Sequence, residues 1–273
     1  MRRSITTRAP IFAAAALVGA LLLAGLGTHD ARAVAEPSAS APAAAVAATD
    51  RSADDRALDE GRKPAEMLAF FGIGPGMKVA ELGAGGGYTA ELLARTVGPT
   101  GKVYAQNSQF LLDRFAQKPW TERLQKPVMT NVVRLDRPFD DPFPPDVKDL
   151  DAVLIVLFYH DTYWQKVDRA KMNAAVMGAL KPGGVYGIVD HSAAAGTGAN
   201  DVETLHRIEE STLRADVEQA GFVLAGSADF LKHAADTRDW SASPRTAGEK
   251  RGTSDRFVLK FVKPATAAAR PTS

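Results

Sequence analysis

Residues 77–97, MKVAELGAGGGYTAELLARTV, constrain the fold of this chain more than any other stretch. Residues 78–82 form a short β-branched and apolar run that predicts a strand. The next five residues hold four glycines, Gly83, Gly85, Gly86 and Gly87. From Tyr88 onward, Ala90, Leu93, Ala94 and Val97 fall on one side of a helix. A strand, a glycine-rich turn and a helix bring backbone amides and a helix N-terminus against a polar ligand in doubly wound sheets.

The rest of the chain repeats that alternation. Strands are expected at residues 102–106, 132–135, 152–158, 185–189, 222–225 and 256–262, and helices at 50–60, 64–71, 109–116, 163–180 and 202–221. The run at 152–158 is unbroken and apolar, as a central parallel strand covered on both faces requires. The expectation is a single α/β domain over residues 50–263. It has a Rossmann-like, doubly wound and mainly parallel seven-stranded sheet, helices on both faces and one antiparallel strand near the C-terminus.

Flanking segments are of another kind. Arg2, Arg3 and Arg8 precede an uncharged run at 11–26, and Ala31-Arg32-Ala33 supplies a small-x-small cleavage pattern. Residues 1–33 therefore read as a signal peptide, or as a membrane anchor if uncleaved, and the protein is expected to be exported and periplasmic. Residues 34–49, rich in Ala, Pro and Ser, read as a flexible linker, and 264–273 as a disordered tail. The chain has no cysteine, which excludes disulfides and lipid attachment through a thiol. A net charge of +1 gives no basic surface, so nucleic acid is not an expected partner.

The glycine turn admits more than one ligand. Read as G-x-G-x-x-G it fits only from Gly85, two residues late for a dinucleotide site. It also reads as a tight strand–helix turn with no ligand at all. A third pattern places an acidic residue, Glu81, two before the alternating glycines Gly83, Gly85 and Gly87. Val79 to Tyr88, VAELGAGGGY, resembles the first motif of the class I S-adenosylmethionine-dependent methyltransferases, and Leu180-Lys181-Pro182-Gly183-Gly184-Val185 resembles their motif before the fifth strand. Phe158-Tyr159-His160-Asp161 and Asp190-His191-Ser192 are similar to a poorly characterised bacterial group of methyltransferases within that family.

The resemblance implies S-adenosyl-L-methionine as cofactor. Gly83, Gly85 and Gly87 would let the backbone approach its amino-acid part, on which Glu81 would also act, while its carboxylate would face the helix start at Tyr88. Asn107 stands where the family has a ribose-binding acid, and an amide accepts there without charge assistance. Asp136 matches the acid near the adenine amino group, although it also suits a turn before Pro138.

Chemistry is expected beyond the carboxyl ends of the strands, where Tyr159-His160-Asp161 and Asp190-His191 crowd one rim. Transfer to an oxygen or nitrogen needs alignment and a base; His160 is the first choice and His191 the second, with Asp190 or Asp161 orienting an imidazole. Those side chains equally serve as loop caps. Tyr159, His206 and Arg207 are expected to contact substrate, the last two from a helix on which His206 shares a face with Glu209 or Glu210. The spacing gives no metal-ligand pattern, so no metal is expected. A long polar insert, residues 232–255 with Trp240, would help cover the acceptor. The reading is a methyltransferase for a small-molecule acceptor. Alternatives are a non-catalytic ligand-binding or sensor domain on the same fold and, from the weaker glycine register, a nicotinamide oxidoreductase.

Overall fold

The computed structural model describes residues 40–265. The leader expected at 1–33 and most of the expected tail lie outside them. Seven strands, β1 (Lys78–Leu82), β2 (Lys102–Asn107), β3 (Val132–Asp136), β4 (Leu150–Val156), β5 (Leu180–His191), β6 (Val223–Ala228) and β7 (Arg256–Val262), form one sheet in the order β3-β2-β1-β4-β5-β7-β6. β1 to β5 pair in parallel, and β7 runs antiparallel to both β5 and β6. This is the expected doubly wound architecture with its single antiparallel strand. β7 can reverse because only the polar insert, with no crossover helix, separates it from β6.

Alternation along the strands sorts the core onto two faces. Ala80, Leu82, Val153, Ile155 and Ile188 point to one side, where Met172 and Val176 of α9 (Arg169–Ala179) and Leu213 and Val217 of α10 (Glu210–Gln219) cover them. Val79, Ala152, Leu154 and Val189 point to the other. Met67, Leu68 and Phe71 of α4 (Pro64–Phe71), Leu92 and Leu93 of α5 (Tyr88–Val97), and Trp120 of α7 (Gln117–Arg123) cover that side. The central strands are thus apolar on both faces, as parallel pairing demands.

Five local expectations need correction. Residues 40–47 of the presumed linker form α1 (Ser40–Ala47), packed on α4 and α5, because alanine is the best helix former once one face finds a partner. The helix expected at 50–60 is two short pieces, α2 (Ala53–Ala57) and α3 (Asp59–Arg62), divided at Leu58. The helix at 163–180 is also broken. After α8 (Asp161–Trp164) the chain turns with Lys166 at φ 56°, and Asp168 recaps α9 by accepting from the Lys171 amide at 3.0 Å. Between β2 and β3 the helix expected at 109–116 runs past its expected end: α6 (Gln109–Leu111) continues through a π-helical turn (Leu112–Ala116) into α7, which carries Pro119.

The helix expected at 202–221 begins only at Glu210. The preceding residues are held by tertiary pairing instead: Ile208 bridges Ser192, its N–H donating to the His191 carbonyl at 3.0 Å while its carbonyl accepts from Ala193 at 3.0 Å. His206 and Arg207 therefore lie on a loop, His206 with φ 51°. β1 feeds β2 on one side, and after β3 the chain crosses to β4 on the other, so the carboxyl ends of β1 and β4 flank the switch point.

Candidate functional site

The glycine turn is built by residues that leave its outer face open. Gly83, Gly85 and Gly87 have φ of 68°, 56° and 84°, all left-handed. A Cβ on Gly83 would meet the Phe158 ring at 2.9 Å, and one on Gly87 would drive into Trp120 and Arg123. At Gly85 it would meet nothing within 4 Å. β2 holds the turn from below. The Gly83 N–H donates to Gln106 Oε1 at 3.0 Å, the Gly85 N–H donates to Asn107 Oδ1 at 2.8 Å, and Asn107 Nδ2 donates back to the Gly85 carbonyl at 3.1 Å. Asn107 is fully buried, so its amide shapes the turn from beneath. Asp136 is exposed at the end of β3 and paired with Arg134 at 2.8 Å.

Glu81, at the foot of the turn, is 3% exposed, and its Oε2 has no hydrogen-bond partner among the described residues. Burial pushes its pKa up to about 7, although Thr89, Arg62, Arg123 and the Ala90 amide favour the anion. A cover lies over this end. Tyr88 donates to Asp59 Oδ1 at 2.6 Å, Asp59 also pairs with Arg51, and the Arg62 guanidinium stands 4.6 Å from the Tyr88 ring centre. Arg123 joins the pieces: its Nε donates to the Gly86 carbonyl at 2.6 Å, and its guanidinium pairs with Asp55 at 2.6 Å and Glu91 at 2.5 Å. The sequence reading missed Gln106 and Arg123. Gln106 could have been found as the residue preceding the flagged Asn107, whereas Arg123 sits beyond a proline that hid its helix.

The second cluster caps β4 and β5. Asp190 accepts from the His160 backbone N–H at 2.7 Å and faces His160 Nδ1 at 2.6 Å. The other ring nitrogen of His160 lies 3.2 Å from Asp161 Oδ1 and 3.3 Å from His206 Nδ1, and His206 Nδ1 is 3.1 Å from the same Asp161 oxygen. Trp164 Nε1 donates to that oxygen at 2.7 Å. Burial disfavours the imidazolium of His160, but the Asp190 and Asp161 carboxylates outweigh it and push its pKa up to about 10. Burial also opposes the Asp161 anion, yet His160 beside it holds the carboxyl well below the usual range. His191 behaves oppositely: burial, reinforced by Arg256, His160 and Arg207, pulls its pKa well down, and Nδ1 contacts Ser254 Oγ at 2.7 Å. One rim therefore carries one histidine held charged and one held neutral.

Two residues expected at the substrate have internal duties. Tyr159 is fully buried, its hydroxyl accepting from Asn173 Nδ2 at 2.9 Å beneath the rim. Arg207 is also fully buried. It pairs with Asp236 at 2.8 Å and donates to the Ser192 carbonyl at 3.0 Å and the Trp240 carbonyl at 3.1 Å. It anchors the 232–255 insert to the end of β5, and the insert reaches on to place Arg245 over the half-exposed Phe115 ring at 4.2 Å. The cavity around Gly76, Lys78, Thr100 and Lys102 opens at the opposite edge, at the amino ends of β1 and β2.

The residues present fit the amino-acid part of S-adenosylmethionine: an open approach at Gly85, a helix start for its carboxylate and an orphaned buried carboxylate oxygen for its ammonium. Comparison with known proteins points the same way. The model of the protein-L-isoaspartate(D-aspartate) O-methyltransferase family matches residues 58–131, the stretch that holds the glycine turn. No curated protein matches the chain. Among solved structures, a SAM dependent methyltransferase from Aquifex aeolicus superposes with a TM-score of 0.53 at 18% identity, over 77% of this chain and 99% of the other. The cyclase SpnF does so with a TM-score of 0.52 at 17% identity, over 78% and 82%. The strand order, the glycine turn and these likenesses together give the chain the class I S-adenosylmethionine-dependent methyltransferase fold.

Proposed function

We propose that the protein is an S-adenosylmethionine-dependent methyltransferase that acts on a small-molecule acceptor bound at the rim of His160, His191 and His206. The observation that carries the reading is the buried, partnerless oxygen of Glu81 at the foot of a turn whose Gly85 faces open space. A group that costs this much to bury calls for a cationic partner, and the cofactor's ammonium is one. Arg62, which lies within electrostatic reach of Glu81, is assigned with the α5 start to the cofactor's carboxylate. When bound, the cofactor supplies an electrophilic methyl group on a sulfonium.

The chain's own residues supply alignment and proton handling. His160, held charged between Asp190 and Asp161, is a donor at neutral pH, so the base role passes to the neutral His191. Two aromatic patches border the rim: the stacked Phe139 and Phe158 rings, 5.1 Å apart, and Phe110 against Trp164 at 5.7 Å. They favour an acceptor with an apolar body. The family model stops at residue 131, before every rim residue, so the acceptor named in that family is not carried over. Export is proposed from the basic residues and apolar run at the N-terminus; protein recovered from cell fractions with an N-terminus at Val34 would support it.

Calorimetric titration of the purified chain with the cofactor and its demethylated product tests the reading. Saturable micromolar binding of both is expected, and none up to millimolar concentration would sink it. The binding-only alternative is separated by incubating the protein with methyl-labelled cofactor and cell-envelope extract. Label transfer that is lost in His191→Ala is expected; binding without transfer would leave a sensor role.

A further inference from the structure

We propose that His160 Nε2, His206 Nδ1 and Asp161 Oδ1 bind one divalent transition-metal ion, with Zn2+ the best fit. The three atoms stand 3.1, 3.2 and 3.3 Å from one another and come from two chain segments 45 residues apart. A tetrahedral ion with bonds of about 2.0–2.1 Å separates its ligand atoms by about 3.3 Å, so the triangle already has the size of one face of such a site. An ion bonded to all three would sit about 0.9 Å above their plane. Two imidazoles and one carboxylate are a borderline-soft set that suits zinc over magnesium or calcium.

The surroundings are those of a metal site. Asp190 faces His160 Nδ1 at 2.6 Å and keeps the N–H on that nitrogen, so an ion that displaces the Nε2 proton would meet a lone pair directed toward Asp161 and His206. Trp164 Nε1 donates to Asp161 Oδ1 at 2.7 Å and steers that carboxylate. His160 and Asp161 are mostly buried, at 3% and 14% side-chain exposure, while His206 is 26% exposed. Three protein ligands with one accessible side leave a coordination position for water or for an oxygen or sulfur ligand from solution. Without an ion, one shared proton must hold the same three atoms together; that is the competing account.

The test needs neither cofactor nor acceptor, so it stands apart from the methyl-transfer reading. The full chain is stripped with a chelator and titrated with Zn2+ in competition with a chromophoric chelator. One ion per chain is expected, bound submicromolar. His206→Ala and Asp161→Asn should each weaken binding by about 100-fold or more, and Asp190→Asn by about 10–100-fold. His233→Ala, which alters a histidine outside the cluster, should leave it unchanged. Co2+ added to the unmutated chain reads the ligands directly, even if a variant fails to fold: the visible bands of a four-coordinate ion and shifted ring protons from two histidines are expected. Zn2+ binding that is absent, or equal in the unmutated chain and both ligand variants, would overturn the site and leave the shared proton.

Discussion

Replacing Glu81 by Gln should stabilise the free protein and weaken its hold on the cofactor. Burial raises the Glu81 carboxyl from its ordinary 4.5 to about 7. Between those values the folded state keeps a proton that the unfolded state has released, so the stability of the unmutated protein falls as pH rises from about 4.5 to 7 and is level above. A shift of about 2.5 units corresponds to about 3 kcal/mol at full deprotonation. The neutral amide of Glu81→Gln carries no charge and escapes that cost. The difference in unfolding free energy should grow from near zero at about pH 4.5 to about 3 kcal/mol in favour of the variant at pH 8. Urea denaturation at four or five pH values measures it. In the same variant, loss of a charge-assisted contact to the ammonium should weaken cofactor binding by about 10–100-fold at pH 8. For the unmutated protein, affinity should rise with pH up to about 7 and then level off. A variant less stable than the parent at pH 8, or a stability difference indifferent to pH, would refute the assignment of a buried, unsatisfied carboxylate.

Asn107→Ala removes both side-chain bonds to Gly85; a loss of about 1–2 kcal/mol in urea denaturation and about 10-fold weaker cofactor binding by calorimetry are expected. Asp236→Asn leaves the fully buried Arg207 without its counter-charge and should cost about 3–5 kcal/mol, with protease cleavage appearing first within residues 232–255. His160 has a folded-state pKa of about 10 against 6.5 unfolded, so its contribution to stability is complete below about pH 6.5 and is lost as pH rises to 10. Asp190→Asn should flatten that decline in pH-dependent denaturation curves.

Why some of this was readable from the residues and some was not follows from where the information lies. The β1–turn–α5 unit was legible to the residue, since strand period, left-handed glycines and helix period are all local signals and all agree. Strands β1 and β7 match their expected limits for the same reason. The 202–209 segment was misread because its helical spacing competes with pairing to Ser192 and with burial of Arg207 against Asp236, both decided by residues far along the chain. Asn107 was flagged by position, but its bonds to Gly85 depend on a neighbouring strand whose register no local pattern carries. His160 and Asp190 were expected to meet because adjacent strands end there; that His206 would join them needed its left-handed φ, which no sequence signal announced.

The placement of buried polar groups argues that chemistry is confined to one edge of the sheet. Glu81, Gln106, Asn107, His160, Asp190 and His191 are all buried, and all sit at or just beyond the carboxyl ends of β1, β2, β4 and β5. Along the same strands the inward positions are apolar on both faces. Desolvating six polar or ionisable groups is costly, and a fold optimised for stability alone would not gather them in one place. Parallel register sets these strand ends side by side: Leu82 pairs with Gln106 and with Ile155, and Val156 with Val189. The glycine turn and the histidine rim therefore lie along the same edge of the sheet. The fold alone does not choose the reaction, for a cyclase shares it. What distinguishes this chain is the rim itself, with one imidazole charged between two carboxylates, one kept neutral, and a third brought in by a loop that Arg207 anchors from below.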